Sequence, residues 1–259
     1  MAMVDHPTVC VRIAQDGVGA GWPLGAKFGC SPGEAVDLLV RAERAGAVTG
    51  VGFHVGSQQH RPEAWHQALL TCATVFARAR SQGAAPSSVN LGGGFPATYL
   101  DEVPSIDDLG ATITETVASC FGDEVHLMAE PGRYLVAEAG LIRSEVVLVS
   151  TRAGDTRRWV YLDVGVFSGL IEPAFGEAIR YRLRTRHDDG PAEEVVIAGP
   201  TCDSADVIYE KAAYRLPVAL RAGDHVDLLA AGAYTHSYST VGFNGFPPLS
   251  QHFVGGVYG

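Results

Sequence analysis

The sequence predicts an α/β half followed by a β half: about four βα units of a (β/α)8 barrel over residues 1–136, then a β-barrel or β-sandwich domain over residues 137–259. Three observations predict it. Short β-favouring runs start at residues 9, 48, 89 and 126, so consecutive starts lie 39, 41 and 37 residues apart, the rhythm of βα units laid side by side in a parallel sheet. Glycine-rich, polar turns follow three of these runs, where α/β sheets bind ligands. After Arg133 the long helical patterns stop and β-favouring runs recur between Gly, Asp and Pro turns.

The elements follow in order. Val9 to Ala14, Val48 to Val55, Val89 to Leu91 and His126 to Ala129 read as strands. Ser31, Pro32, Gly33 and Glu34 form a capping box that starts a helix; Ala35, Leu38, Leu39 and Ala42 share its apolar face and Gly46 is placed to end it in the left-handed conformation. Pro62 to about Arg80 and Ser105 to about Phe121 read as further helices, the latter capped by Ser105 with Asp107 and Asp108 at the positive end of its dipole. In the second half, Leu141 to Ser150, Trp159 to Asp163, Val195 to Ala198 and Val226 to Leu229 read as strands, Arg184 to Glu194 as a solvated hairpin loop and the stretch with Lys211 as a helix. A closed barrel at this spacing needs roughly 310 residues. Half a barrel leaves two sheet edges that something must pair or cover.

Composition narrows the function. With 47% hydrophobic residues in 259 the chain is not disordered, and the formal charge of −10 with scattered arginines and two lysines, Lys27 and Lys211, offers no basic footprint for nucleic acid. Small polar or cationic ligands fit better. No apolar stretch approaches the eighteen or so residues of a membrane span, and Met1 to His6 lack a basic region leading into an apolar core, so neither a bilayer span nor export is expected. Five widely spaced cysteines argue for a reducing cytoplasm, and no His/Cys spacing suits a metal.

The candidate chemistry sits at strand ends and turns. His54-Val55-Gly56-Ser57-Gln58, Gly92-Gly93-Gly94-Phe95-Pro96 and Glu130-Pro131-Gly132-Arg133 follow predicted strands. The glycine triplet lets backbone amides approach a phosphate that Arg133 would neutralise, or is simply a tight turn. His54 reads as a ligand-facing imidazole or as a hydrogen-bonded, half-buried one. Glu130 leaves what reads as a buried strand, so it needs a cationic or proton-donating partner: a ligand, Arg133 or Arg12. In the second half, Gly199 to Ser204 sets the Cys202 thiol beside the Asp203 carboxylate at a turn, with Asp206 close behind; a plain surface turn is the alternative. Gly232-Ala233-Tyr234-Thr235 and Phe243-Asn244-Gly245-Phe246 add loop aromatics or packing anchors.

In this order, and with Lys27-Phe28-Gly29 and Asp163-Val164-Gly165, these motifs resemble the ornithine/lysine/diaminopimelate/arginine decarboxylase family of pyridoxal-phosphate enzymes, of fold type III, from about Val9 to Phe246. Asp203 after Cys202, and Phe243 to Phe246, look more like the ornithine/lysine branch than the diaminopimelate branch. The resemblance implies the carboxyl-terminal half of an alanine-racemase-like barrel followed by a β domain, and decarboxylation of ornithine or lysine to a diamine in polyamine metabolism. It implies pyridoxal 5'-phosphate as cofactor: His54 stacked on the pyridine ring, Glu130 keeping the ring nitrogen protonated, and Ser57, Gly93, Gly94, Arg133 and Tyr234 on the phosphate, with Pro131 and Gly132 also among the cofactor-binding residues. Cys202 would return a proton to the α-carbon and Asp203 would pair with the distal ammonium of the substrate, both across a dimer interface. One departure stands against these matches. The family anchors its cofactor on a lysine near the start of the barrel, and Lys27 and Lys211 match other family positions. Three readings follow: a truncated or split decarboxylase, inactive until an amino-terminal half completes it; a non-catalytic relative that binds a full-length decarboxylase or its regulator; or a chain that binds the cofactor non-covalently.

Overall fold

A computed structural model describes residues 7–25, 27–175 and 178–255. Met1 to His6, read above for an export leader, lie outside the described residues. The chain divides into two compact units, Met1–Ala97 with Val103–Tyr134, and Thr98–Glu102 with Leu135–Gly259.

The first unit runs β1 (Thr8–Arg12), β2 (Ala20–Trp22), α1 (Pro32–Arg44), β3 (Val48–Gly52), β4 (Ser57–Gln59), α2 (Glu63–Ser81), β5 (Ser88–Asn90), α3 (Ile106–Phe121) and β6 (His126–Met128). Strands β1, β3, β5 and β6 form one parallel sheet in that order, while β2 and β4 pair as a separate antiparallel ribbon. The register aligns Val11, Val51, Val89 and Leu127 in one row. The first three are buried in one core with Leu39 of α1, Leu69 of α2 and Leu109 of α3. Strand alternation turns the neighbouring row of Arg12, Gly52, Asn90 and Met128 to the opposite face.

Local sequence explains the helices. Ser31 and Glu34 close the predicted capping box, with the Glu34 N–H donating to Ser31 Oγ at 3.3 Å and the Ser31 N–H donating to Glu34 Oε2 at 2.9 Å. Gly46 follows α1 at φ +87°. The buried face of α1 is Ala35, Val36, Leu39 and Val40 rather than the predicted face through Leu38 and Ala42. The helix presents its 35/36/39/40 stripe to the sheet, and the 38/42 stripe lines an open cavity of about 620 Å³ beside β1, together with Val9, Val11 and Phe28. A second expectation also changes: β6 is exposed along its length because it is the last strand of the sheet, with Leu127 45% exposed. Glu130 therefore leaves an exposed edge strand, not a buried one.

Beyond the four-residue helix α4 (Arg133–Val136), the second unit holds β7 (Ile142–Thr151), β8 (Arg158–Leu162), α5 (Ile171–Ala174), β9 (Leu183–Arg184), β10 (Ala192–Ala198), β11 (Val207–Ile208), β12 (Arg215–Pro217) and β13 (His225–Leu228). Its seven strands form one sheet in the order β11-β10-β8-β7-β13-β9, with β12 paired to β10. All pairs are antiparallel except β8 with β10. Ile142, Ser144 and Val146 of β7 point inward at strand period and Val147 outward, until a register shift between Val146 and Leu148 breaks the alternation and leaves Leu148 exposed as well.

Two buried tyrosines tie down the chain from Ile179 into the start of β9. Tyr209 Oη donates to the Ile179 carbonyl and accepts from the Tyr181 N–H at 2.9 Å, and Tyr214 Oη donates to the Tyr181 carbonyl and accepts from the Leu183 N–H at 3.2 Å. Burial raises both phenols, Tyr214 to about 12, so they remain hydrogen donors. The segment read as a hairpin loop is not one: β9 pairs with β13 while β10 pairs with β8, β11 and β12, so the strands flanking it are not partners. Lys211 lies in a turn rather than a helix, because β11 and β12 leave only a short connection.

Candidate functional site

In the first unit the segments that follow β3, β5 and β6 meet at the carboxyl end of the parallel sheet. His54 lies two residues beyond β3, and its Nδ1 accepts the Gly56 N–H at 3.0 Å, while Nε2 faces Gly93. Burial, and then the Arg12 guanidinium, lower the His54 pKa against the opposing pull of Glu130, so the ring is neutral at physiological pH. Gly93 sits against it. A Cβ built on Gly93 would lie 3.0 Å from His54 Nε2 and 2.8 Å from the Glu130 carbonyl oxygen, so only glycine lets these three groups approach.

Asn90, at the end of β5, holds this arrangement together. Its Oδ1 accepts the Gly92 N–H at 2.9 Å, and its Nδ2 donates to Glu130 Oε1 at 2.6 Å. The Glu130 N–H also donates to the Gly92 carbonyl at 2.9 Å. The carboxylate is thus oriented by an amide, where the sequence suggested Arg133 or Arg12. Asn90 escaped the sequence reading; its signal was an amide, able to donate and accept at once, placed two residues before the glycine triplet.

A second cluster adjoins the first. Gly94, at φ +100°, packs so that a Cβ there would collide with the Gly56 carbonyl, and its own carbonyl accepts the Gln59 N–H at 3.0 Å. Ser57 follows Gly56, and the buried Arg133 donates from Nη2 to Ser57 Oγ at 3.2 Å. Gln58, held at φ +54°, clamps Ala97 through both ends of its amide, at 2.6 and 3.0 Å, and so fixes the exit of the glycine loop. A buried guanidinium, a hydroxyl and glycine amides in one place suit a phosphate. Pro131 and Gly132 bridge Glu130 to Arg133.

In the second unit, Cys202 and Asp203 lie exposed on a turn after β10. Cys202 Sγ donates to Asn244 Oδ1, and Asp203 Oδ1 accepts the Ala205 N–H at 2.9 Å. Tyr234 is partly exposed at φ +55°, its ring 5.8 Å from that of Tyr238. Gly232 before it packs on the backbone of residues 136–140, and its N–H donates to the Ala137 carbonyl at 2.9 Å.

The parallel βα sheet, with a glycine loop, an imidazole and a carboxylate at its carboxyl end, suits a phosphorylated, ring-bearing cofactor. Residues 2–137 match the family model described as pyridoxal-dependent decarboxylase, pyridoxal binding domain. The chain belongs to the pyridoxal-dependent decarboxylase family. It is 34% identical over 241 residues to the decarboxylase flvG of Aspergillus flavus, covering 88% of this chain and 55% of that protein. It is likewise 34% identical over 243 residues to the lysine/ornithine decarboxylase of Selenomonas ruminantium, covering 92% and 59%. Among solved structures, the lysine/ornithine decarboxylase of Vibrio vulnificus complexed with cadaverine is similar at TM-score 0.79 and 36% identity, over 93% of this chain and 62% of that one. The chain thus spans less than two thirds of the length of these relatives. No helix among the described residues is long and apolar enough to cross a membrane.

Proposed function

We propose that this chain supplies the carboxyl-terminal half of an alanine-racemase-like barrel and the β domain of a pyridoxal-phosphate-dependent decarboxylase, which converts ornithine or lysine to a diamine in the cytoplasm. The observation that carries the proposal is the cluster at the carboxyl end of the parallel sheet, where Gly93 packs against His54 Nε2 and the Glu130 carbonyl while Asn90 orients the Glu130 carboxylate. The residues fit the cofactor: a neutral, planar imidazole for a ring, an oriented carboxylate for a ring nitrogen, and a buried guanidinium with a hydroxyl and glycine amides for a phosphate.

When bound, pyridoxal phosphate supplies an electron-withdrawing ring that takes up the electron pair left as CO₂ departs. Glu130, steered by Asn90, would hold the proton at the ring nitrogen. His54 would pack on the ring as an uncharged plate. Ser57, Gly93, Gly94, Arg133 and Tyr234 would hold the phosphate, Cys202 would return a proton to the substrate α-carbon, and Asp203 would neutralise the distal ammonium.

The protein would act as a homodimer or with a complementing amino-terminal half. The sheet ends at β1 and β6, apolar side chains stand exposed on β6, and the cavity beside β1 has the lining of a helix-packing surface. Lys27 lies 5.1 Å from the Phe28 ring centroid in the connection between β2 and α1, and Lys211 lies in the β11–β12 turn, so the cofactor-anchoring lysine would also come from the completing half. The isolated chain is expected to release no CO₂. The test measures labelled CO₂ from ornithine and lysine, with the chain alone and co-expressed with the amino-terminal half of the Selenomonas ruminantium enzyme. Release from the combination alone is the expected result, and no release from an associated, folded combination would overturn the proposal. The same lysine count favours a second reading, a non-catalytic homologue that binds a full-length decarboxylase or its regulator. Co-purification of such a complex without gain of activity would support that reading.

A further inference from the structure

We propose that Asn244 is the positioning residue of the Cys202 thiol, and that the buried Asp206 carboxylate sets the distance between them. The proposal rests on the decarboxylase reading for its purpose, since a proton donor must present its hydrogen in one direction, but its structural basis lies wholly within the second unit.

Asn244 Oδ1 accepts two hydrogen bonds from the same residue, from the Cys202 N–H at 3.3 Å and from the Cys202 S–H. A thiol on an exposed turn ordinarily rotates about χ1. Here one oxygen fixes both the backbone and the sulfur, so the S–H direction is set by the side chain of a residue 42 positions away.

Asn244 in turn is held by its own loop. It adopts φ +51° and ψ +22°, a left-handed conformation that asparagine tolerates better than most residues, between Gly242 at φ +80° and Gly245 at φ +85°. Phe243 beside it stacks on Phe167 with ring centroids 4.2 Å apart, and the N–H and Oγ1 of Thr240 both donate to the Phe167 carbonyl.

Asp206 closes the circuit. Its Oδ1 accepts the N–H of Val166, the neighbour of Phe167, at 2.7 Å. Its Oδ2 accepts the N–H and Oγ1–H of Thr201, the neighbour of Cys202, at 3.0 and 2.7 Å. One carboxylate therefore ties together the loop that bears the thiol and the loop on which the asparagine is mounted. A Cβ on Gly165 or Gly199 would strike this carboxylate, which explains why both of these turns carry glycine.

The test uses the 259-residue chain without cofactor. Iodoacetamide alkylation is followed at each cysteine by peptide mass for wild type, Asn244→Gly and Asn244→Asp, with a thermal melt confirming that each is folded. Glycine keeps the left-handed backbone and deletes the acceptor; aspartate keeps both backbone tolerance and acceptor oxygen. A hydrogen bond of ordinary net strength corresponds to about fivefold in rate, because the sulfur must leave its acceptor to meet the reagent. Asn244→Gly is expected to raise alkylation of Cys202 about fivefold, with Cys10 and Cys120 unchanged and Asn244→Asp no faster than wild type, since a carboxylate keeps the acceptor oxygen and repels a thiolate beside it. An unchanged Cys202 rate in Asn244→Gly, an equal rise in both variants, or a parallel rise at Cys10 and Cys120 would each overturn the proposal. Failure of the completed protein to release CO₂ would instead strike the decarboxylase reading and leave these rates as they are.

Discussion

The two units hold their candidate site residues by different means. In the first, His54, Gly92 to Gly94 and Glu130 are placed by the register of a parallel sheet whose strands pack on three helices through one continuous core. In the second, Cys202, Asp203 and Asn244 stand on turns fixed by a few side-chain hydrogen bonds, among them those of the Asp206 carboxylate to Val166 and Thr201 and that of Cys202 to Asn244. A site built on register spreads its dependence over many apolar contacts, whereas a site built on polar ties depends on single groups. The second kind is easier to break locally and easier to adjust.

The comparison can be broken most severely at Trp65, fully buried in α2 and 5.1 Å from the Phe95 ring that follows the glycine triplet. Trp65→Ala is expected to destabilise the first unit by about 4 kcal/mol, read by urea denaturation, and to move the glycine loop with the core. Asp206→Ala should cost the second unit about 3 kcal/mol, since it leaves buried donors unpaired. Amide hydrogen exchange should show faster exchange at Val166 and Thr201 with the first unit unchanged; protection lost equally in both units would refute the local tie. Gly94→Ala forces a side chain onto a φ of +100° against the Gly56 carbonyl and is expected to cost about 2 kcal/mol while removing phosphate affinity, measured by ³¹P NMR.

Acid separates the units more gently. The folded state lowers the His54 pKa below its ordinary 6.5, so the unfolded chain takes up the proton first and the first unit loses stability as pH falls through 6.5, levelling off below the folded value. In the second unit the Arg143 hydrogen bond, assisted by Arg184 and opposed by burial, lowers the Asp227 carboxyl below its ordinary 3.8. That stabilisation is complete above 3.8 and is lost only as pH falls further through the folded value. Unfolding followed from pH 8 to pH 3 should therefore show the first unit weakening earlier, and His54→Gln should abolish its early loss.

Legibility in the sequence followed the same division. The parallel strands and the three long helices were readable because their signals are local: apolar runs at even spacing, the Ser31 and Ser105 caps, and Gly46. The site motifs fell at strand ends for the same reason. Burial of β6 and of Leu38 was misjudged because it depends on which neighbours the sheet has, not on the strand or helix itself. In the second unit the strand runs could be read, but β9, β11 and β12 are too short to carry a period, and the parallel pairing of β8 with β10 joins distant segments. Asn90 and Asp206 show the limit most clearly: their roles arise from partners up to 40 residues away, in geometry that no local spacing encodes.

The central claim is that the seat between His54 and Glu130 receives the cofactor ring. It is tested most directly by titrating pyridoxal phosphate into the 259-residue chain and following induced circular dichroism in the cofactor band, for wild type, Gly93→Val and a Lys27→Arg/Lys211→Arg control. Saturable binding in wild type and in the lysine control, abolished by Gly93→Val in a protein that still folds, is the result predicted. No saturable signal in wild type, or a signal untouched by Gly93→Val, would contradict it.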